Sequence, residues 1–410
     1  MKIFVIVEHY PNPYKPYIDD QLICLMREGH DVRVFAHSGY HTGLSDRIIE
    51  HRLEDRVVPY PTTLKTLRRF IVPLVKAGLR QPVRAARWVR AGRQAGEPLK
   101  IAVMHAARLL LLPDEPPDLI VVHNLTPAVM YRLLPQRYHH TPLVLYYHGG
   151  EVSMQRPVAR PARGFEAPHF VLAATRYVLE EAVSRGCDRA RLRINPLGFD
   201  TDLFTPTLPK KYRSDGVLRF ISIGRVHEEK GIRHAVEGVR LAVEQGLDRI
   251  HYTVVGAGPL VEPLRELART YGIDDKVTFT GVLPREHVVR ELERADVLLL
   301  PSVPIPTWQE NQACVMQEAM LMHLLVASSR TGGVQESIPE CMHTFSFDPA
   351  DPRGIAASIA RLYQLGTADF ELLGQQARKF TETHYDIRVV TSEMLELGRS
   401  AVQSTGTRRP

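Results

Sequence analysis

A short apolar, β-branched run followed by a helix-period segment and then another such run recurs along nearly the whole chain. This alternation constrains the fold more than any single residue does. Lys2–Val7 (KIFVIV) opens the pattern. A continuous apolar run of this kind suits a strand covered on both faces of a parallel sheet. Asp19–Glu28 then places Leu22, Leu25 and Met26 on one helical face, Gly29 ends that helix, and Asp31–Ala36 forms the next strand. Further strands are expected at Asp118–Val122, Pro142–Tyr147 and Phe170–Ala173, with a helix over Arg176–Arg185 stopped by Gly186.

The second half restarts the same grammar. Strands are expected at Leu218–Ile223, His251–Val255, Val277–Thr280, Val297–Leu300 and Leu325–Ser328. Between them lie helices over Ile232–Gln245, Leu260–Tyr271, Arg285–Arg294 and Ala313–Met322. The expected class is α/β, with two Rossmann-like doubly wound domains, since 410 residues exceed one ordinary core. Pro196, Gly198, Pro206 and Pro209 cluster between them, which divides the chain into domains 1–195 and 196–385. A final helix within 386–403 is a candidate to cross back to the N-terminal domain, and 404–410 reads as a disordered tail.

Charge and cysteine usage narrow the setting. A net charge of +6 favours an anionic partner such as nucleic acid, a membrane surface or a phosphorylated substrate. Cys24, Cys187, Cys314 and Cys341 are widely spaced, so a disulfide framework and a zinc site are both disfavoured. The apolar N-terminal run is too short for a signal peptide, and no run reaches membrane-spanning length, so a cytoplasmic protein is expected. From Lys65 to Arg108 there are eleven Lys/Arg residues and one acid, Glu97, with Phe70 and Trp88 interspersed. Two readings fit: a basic amphipathic surface on the inner face of an anionic membrane, or a solvated helical hairpin.

Four features carry chemistry. Gly224-Arg225 follows a strand and leads to Lys230-Gly231, so backbone amides and two cations meet at one strand-to-helix mouth, as a diphosphate requires. Glu310 precedes a helix and Glu318 lies within it; Glu318 could accept both hydroxyls of a ribose, while Glu310 and the amides of Asn311, Gln312 and Ala313 face a sugar. Gly332-Gly333 allows close backbone approach before Glu336, and equally allows a tight turn with no ligand. His123 and His148-Gly149-Gly150-Glu151 follow two strands of the first sheet, at the edge where open α/β sheets bind ligands. Taken singly, each feature also fits an ordinary structural role.

In this fixed order, the features resemble glycosyltransferase family 4. The matching residues are Gly224-Arg225 with Lys230-Gly231, the Val254–Pro259 turn bearing Gly256 and Gly258, Asp296 with Pro301-Ser302, Glu310 with Glu318-Ala319-Met320, and Gly332-Gly333 with Glu336. Upstream, Pro196–Asp200 and Phe204 with Pro206 resemble the family's hinge. The likeness is strongest over 170–365 and is closest to members that build exopolysaccharide or lipid-linked glycans.

The resemblance implies the GT-B architecture, two domains facing an interdomain cleft, and retention of anomeric configuration without a required metal or cofactor. It implies that Arg225 and Lys230 hold the diphosphate with Gly224 and Gly256, that Glu318 holds the ribose, and that Glu310 holds the donor sugar. His148 would lie near the reacting centre, with His123 and Glu151 on the acceptor side. The donor would be UDP-, GDP- or ADP-linked and the acceptor a glycan, a lipid-linked sugar or a small molecule; nucleic acid is not expected. The chain departs from the pattern at Asn311-Gln312-Ala313, where the family has Gly-Phe-Gly-like residues. Further departures are His323 and Leu325 in place of Gly and Pro, and Tyr10–Lys15 in place of a Gly-Gly loop. Two alternatives remain: a GT-B nucleotide-sugar epimerase, and a catalytically silent lipid-binding or scaffolding paralogue.

Overall fold

The computed structural model describes residues 1–12, 15–38, 46–60, 74–75, 81–149, 161–207, 209–213, 215–306 and 308–406. The chain divides into two compact units. The first comprises Met1–Ala174, Leu179–Asn195 and Thr391–Pro410; the second comprises Thr175–Val178 and Pro196–Val390.

The first unit is built on seven parallel strands: β1 (Lys2–His9), β2 (Asp31–Ser38), β3 (Val57–Pro59), β4 (Leu119–His123), β5 (Leu143–Tyr147), β6 (Phe170–Ala173) and β7 (Leu192–Ile194). Their order is β3-β2-β1-β4-β5-β6-β7. Every residue of β4 and β5 is buried, which is why these strands read as unbroken apolar runs. The winding direction reverses between β1 and β4, so their carboxyl ends open a crevice that connecting loops do not cover. The edge strands β3 and β7 are three residues each, too short for a periodic signal, and sequence reading does not find them.

The terminal helix, Ile387–Gly406, ends in the first unit. Met394 and Leu395 share its buried cluster with Ile3, Val5, Leu119 and Leu172. Gly398 lets the helix lie close, since a Cβ there would press into Leu119. Of the tail expected to be disordered, 404–410, residues 404–406 continue the helix and 407–410 lie outside the described residues.

In the second unit, β8 (Leu218–Ile223), β9 (Ile250–Val255), β10 (Val277–Gly281), β11 (Val297–Leu300) and β12 (Leu325–Ser328) form a parallel sheet ordered β10-β9-β8-β11-β12. The wiring repeats that of the first sheet, with its reversal between β8 and β11. Helix Ile232–Glu244 packs tightly on helix Pro352–Gln364, because Gly238 leaves room for Ile355. The hinge segment is stitched into this unit: Phe199 N donates to Tyr385 O at 2.8 Å, and Ile387 N donates to Phe199 O at 2.9 Å.

Of the basic stretch 65–108, residues 65–73 and 76–80 lie outside the described set. Helices Pro82–Gln94 and Leu99–Leu111 pair where Gly92 meets Ala102. Trp88 is buried beneath the Arg137 guanidinium, so it belongs to the core rather than to an exposed apolar face. Val83 and Leu99 are exposed, as are Arg84, Arg87, Arg90, Arg93 and Lys100.

Candidate active site

The mouth of the second sheet is built from loops that stack backbone on backbone. Gly224 has φ 146° and Gly256 has φ 139°, conformations that side chains disfavour. A Cβ on Gly256 would collide with the carbonyl oxygen of Gly224, one on Gly258 with that of Val226, and one on Gly231 with that of Pro301. Gly224 N donates to Val255 O and Val226 N to Ala257 O, each at 2.9 Å. These contacts fix the turn after β8 against those after β9 and β11. They carry Arg225 and Lys230 to the two ends of one short loop. A small crevice lies there, lined by Ser222, Gly224, Arg225, Lys230, Val254 and Pro301 among others.

Both cations are held in place. Lys230 Nζ lies 2.6 Å from Glu310 Oε2 and 4.7 Å from the Trp308 ring centroid. Ser302 Oγ donates to the same carboxylate oxygen at 2.8 Å. Arg225 Nη2 lies 3.1 Å from Glu229 Oε1, and Glu229 itself is buried. A cation ordered before an anion arrives loses less side-chain freedom when it binds.

Glu310 is positioned by the two glycines that follow β12. Gly333 N donates to Glu310 O at 3.1 Å, and a Cβ on Gly332 would strike that same oxygen. Gly332-Gly333 therefore shapes the site through the Glu310 backbone. Glu336 accepts from the amides of Arg176 at 2.7 Å and Tyr177 at 3.1 Å, capping a helix start.

Asn311, Gln312 and Ala313 lead into helix Cys314–Leu321, with Ala313 at its N-cap. The buried Gln312 side chain clamps Leu197: Oε1 accepts from Leu197 N at 2.8 Å and Nε2 donates to Leu197 O at 2.9 Å. That side chain serves the hinge segment, leaving the backbone as this tripeptide's means of meeting a ligand. Glu318, one helix side further on, has Arg285 Nη2 3.9 Å from its Oε1, and the Arg285 guanidinium lies over Phe204.

In the first unit, His123 ends β4 and His148 follows β5. His123 Nδ1 is 3.2 Å from His148 Nε2, and His123 Nε2 is 2.8 Å from Gln21 Oε1. Tyr146 stacks on His123 at 4.8 Å and 4°, and the Tyr17 ring lies 5.2 Å from His148. Lys15 Nζ donates to Asn124 Oδ1 at 3.0 Å. Burial, aided by the Lys15 charge, pushes His123 down to about 3. Burial, His123 and Lys15 hold His148 well below the usual histidine range. Both rings are therefore neutral at pH 7. His123 is 1% exposed and sits behind His148, not at the surface. Glu151 lies outside the described residues.

Sequence reading missed Trp308, Arg285, Gln21, Lys15 and Tyr17, which reach these sites from loops and helix faces. Ser302 was visible only as part of Pro301-Ser302.

Two family models match the chain. Glycosyltransferase Family 4 matches residues 17–203, and Glycosyl transferases group 1 matches residues 218–365. The chain thus carries a Glycosyltransferase Family 4 domain followed by a Glycosyl transferases group 1 domain. The first unit is thus matched as well as the second, although its motifs are the weaker ones. The amylovoran biosynthesis glycosyltransferase AmsK of Erwinia amylovora is 26% identical over 259 residues, 62% of this chain and 63% of that protein. WcaL of Escherichia coli, whose name assigns it to colanic acid biosynthesis, is 30% identical over 213 residues, 52% of each chain. The chain thus spans about half to under two thirds of the length of the curated relatives it matches. The crystal structure of Anabaena HepE in complex with UDP superposes with a TM-score of 0.70 at 16% identity, covering 98% of this chain and 100% of that one. That likeness gives the fold, GT-B. Among the described residues, no helix is long and apolar enough to cross a membrane.

Proposed function

We propose that this protein transfers a hexose-type sugar from a nucleoside diphosphate donor to a glycan, lipid-linked or small-molecule acceptor, with retention of anomeric configuration. The observation that carries this reading is the mouth of the second sheet, where Arg225 and Lys230 stand beside backbone that Gly231, Gly256 and Gly258 allow to pack closely and Lys230 is already ion-paired with Glu310. Glycosyl transfer gives the departing diphosphate extra negative charge as the sugar becomes oxocarbenium-like. Fixed cations and amides stabilise that charge without reorganising. In this reading Arg225, Lys230, Gly224 and Gly256 take the diphosphate and Glu318 takes the ribose. Glu310 and the amides of Asn311 to Ala313 take the donor sugar. Side chains supply the positive charge, so no metal or cofactor is required. His148 acts near the reacting centre and Glu151 serves the acceptor side, while buried His123 supports His148 from behind.

A thermal-shift panel of UDP, GDP and ADP, alone and as their sugars, tests the reading, because a ligand that binds only the folded state raises Tm by mass action. One nucleotide should stabilise the protein strongly. Absence of any shift across the panel would overturn the reading.

We also propose that the 65–108 stretch lets the protein sit on the cytoplasmic face of an anionic membrane. Exposed Arg84, Arg87, Arg90, Arg93 and Lys100 beside exposed Val83 and Leu99 support this.

A further inference from the structure

The segment between β11 and Glu310 is short of freedom from the outset. Pro301, Pro304 and Pro306 fix their own φ and hold Val303 and Ile305, which precede two of them, in extended backbone. Hydrogen bonds then pin the segment along its length. Ser302 O accepts from Ser329 Oγ at 2.6 Å, and Val303 N donates to Glu229 O at 2.9 Å. Ile305 N donates to Trp308 O at 2.9 Å, and Trp308 N returns a bond to Ile305 O at 3.0 Å. At its end, Ser302 Oγ donates to the Glu310 carboxylate at 2.8 Å. Trp308 is therefore carried to the mouth of the second sheet on a braced loop.

There it is half-buried, with its ring centroid 4.7 Å from Lys230 Nζ. That same ammonium is 2.6 Å from Glu310 Oε2. One corner thus joins three chemically different surfaces: a cation, a carboxylate and the face of an indole. A hexosyl phosphate has a complement for each. Its phosphate is an anion, its hydroxyls donate to a carboxylate, and the C–H groups of a pyranose form an apolar, weakly positive face that suits a π surface.

We propose that Trp308 is a specificity-determining residue, a stacking wall for the C–H face of the donor hexose. This rests on the reading of Lys230 and Glu310 as ligands of the diphosphate and the sugar. The wall favours a hexose whose C–H face is unbroken and disfavours an epimer that turns a hydroxyl into it, because that hydroxyl loses water without gaining a partner on the ring. The braced loop presents the indole already ordered, so little side-chain freedom is lost on binding.

The test is calorimetric titration of whichever of UDP, GDP and ADP binds, and of its glucose, galactose and mannose conjugates, into the unsubstituted protein, Trp308→Leu and Trp308→Phe. Trp308→Leu should weaken the preferred nucleotide sugar about tenfold and flatten the preference over its epimers, with the nucleotide alone held within about twofold. Trp308→Phe should keep most of the preference. Equal losses for nucleotide and nucleotide sugar would make Trp308 a brace for Lys230 and overturn the proposal, as would an unchanged sugar preference. A second measurement needs no substitution that could disturb folding in the titrated protein. The chain has two tryptophans, so 5-fluorotryptophan labelling gives two 19F signals, assigned with Trp308→Phe. The Trp308 signal should move further with nucleotide sugar than with nucleotide, while buried Trp88 stays put. Identical Trp308 shifts with both ligands would overturn the stacking wall and leave the diphosphate site standing. Binding of none of these ligands would overturn both.

Discussion

Lys230 Nζ and Glu310 Oε2 lie 2.6 Å apart across 80 residues of chain, joining the loop after β8 to the segment that precedes helix Cys314–Leu321. Ser302 shares the carboxylate and Trp308 lies against the amine. The pair is mostly shielded from water, so removing one partner leaves a poorly solvated charge behind.

Lys230→Ala should therefore have two separable effects. Transfer should fall roughly a hundredfold, because a cation aimed at the leaving group is gone. Stability should fall by about 2–3 kcal/mol, because Glu310 loses its counter-charge. Combining Lys230→Met with Glu310→Gln should recover most of the stability and none of the transfer. Denaturant unfolding and initial-rate assays on the three proteins check this, and a scaffold without catalytic function would show no rate to lose.

Gly256→Ala places a methyl group against the Gly224 carbonyl at a φ of 139°. Gly246 also has positive φ, 86°, but faces open space. The first substitution should cost about 3 kcal/mol and weaken nucleotide binding; Gly246→Ala should cost about 1 kcal/mol and leave binding intact. Paired thermal melts with and without nucleotide distinguish clash from backbone strain.

Acid should destabilise the first unit through its buried neutral histidines. His105, whose Nδ1 is 2.7 Å from Met130 O, is pushed down to about 4 by burial and by the Arg108 charge. His123 is pushed down to about 3. Folded values below the unfolded one mean that the unfolded state binds more protons between about pH 6.5 and pH 3–4. Stability is full above pH 6.5 and falls through that window as pH drops, by about 2 kcal/mol per histidine at pH 5. His105→Gln should reduce the pH 7 to pH 5 loss by one histidine's share, measured by denaturant unfolding at each pH.

The repeated strand–helix alternation made both sheets legible, because strands such as β4 and β5 are buried on every residue and carry no polar interruption. Glycines 231, 256 and 332 were legible for the same reason in reverse: the backbone approaches so closely that a side chain there must collide, whereas Gly224 is required by its φ of 146°. Less visible were groups whose role depends on a distant partner. Nothing in the sequence shows that the Gln312 side chain holds Leu197, and the Trp88 stretch fits a membrane surface or a solvated hairpin equally until Trp88 is found buried beneath Arg137.

Activity should persist in excess EDTA if Arg225 and Lys230 alone neutralise the diphosphate; complete loss restored by Mg²⁺ would oppose that. For the basic stretch, sedimentation with anionic liposomes should weaken as salt rises and vanish when Arg84, Arg87, Arg90 and Arg93 become Ser. Equal binding to neutral liposomes would count against a charge-driven surface.

The most direct measurement is calorimetric titration of the preferred nucleoside diphosphate into the unsubstituted protein and into a variant carrying both Arg225→Ala and Lys230→Ala. The unsubstituted protein should bind clearly and the double variant at least a hundredfold more weakly, since two charge-assisted phosphate contacts are gone. Equal affinities would place the pyrophosphate elsewhere and contradict the account.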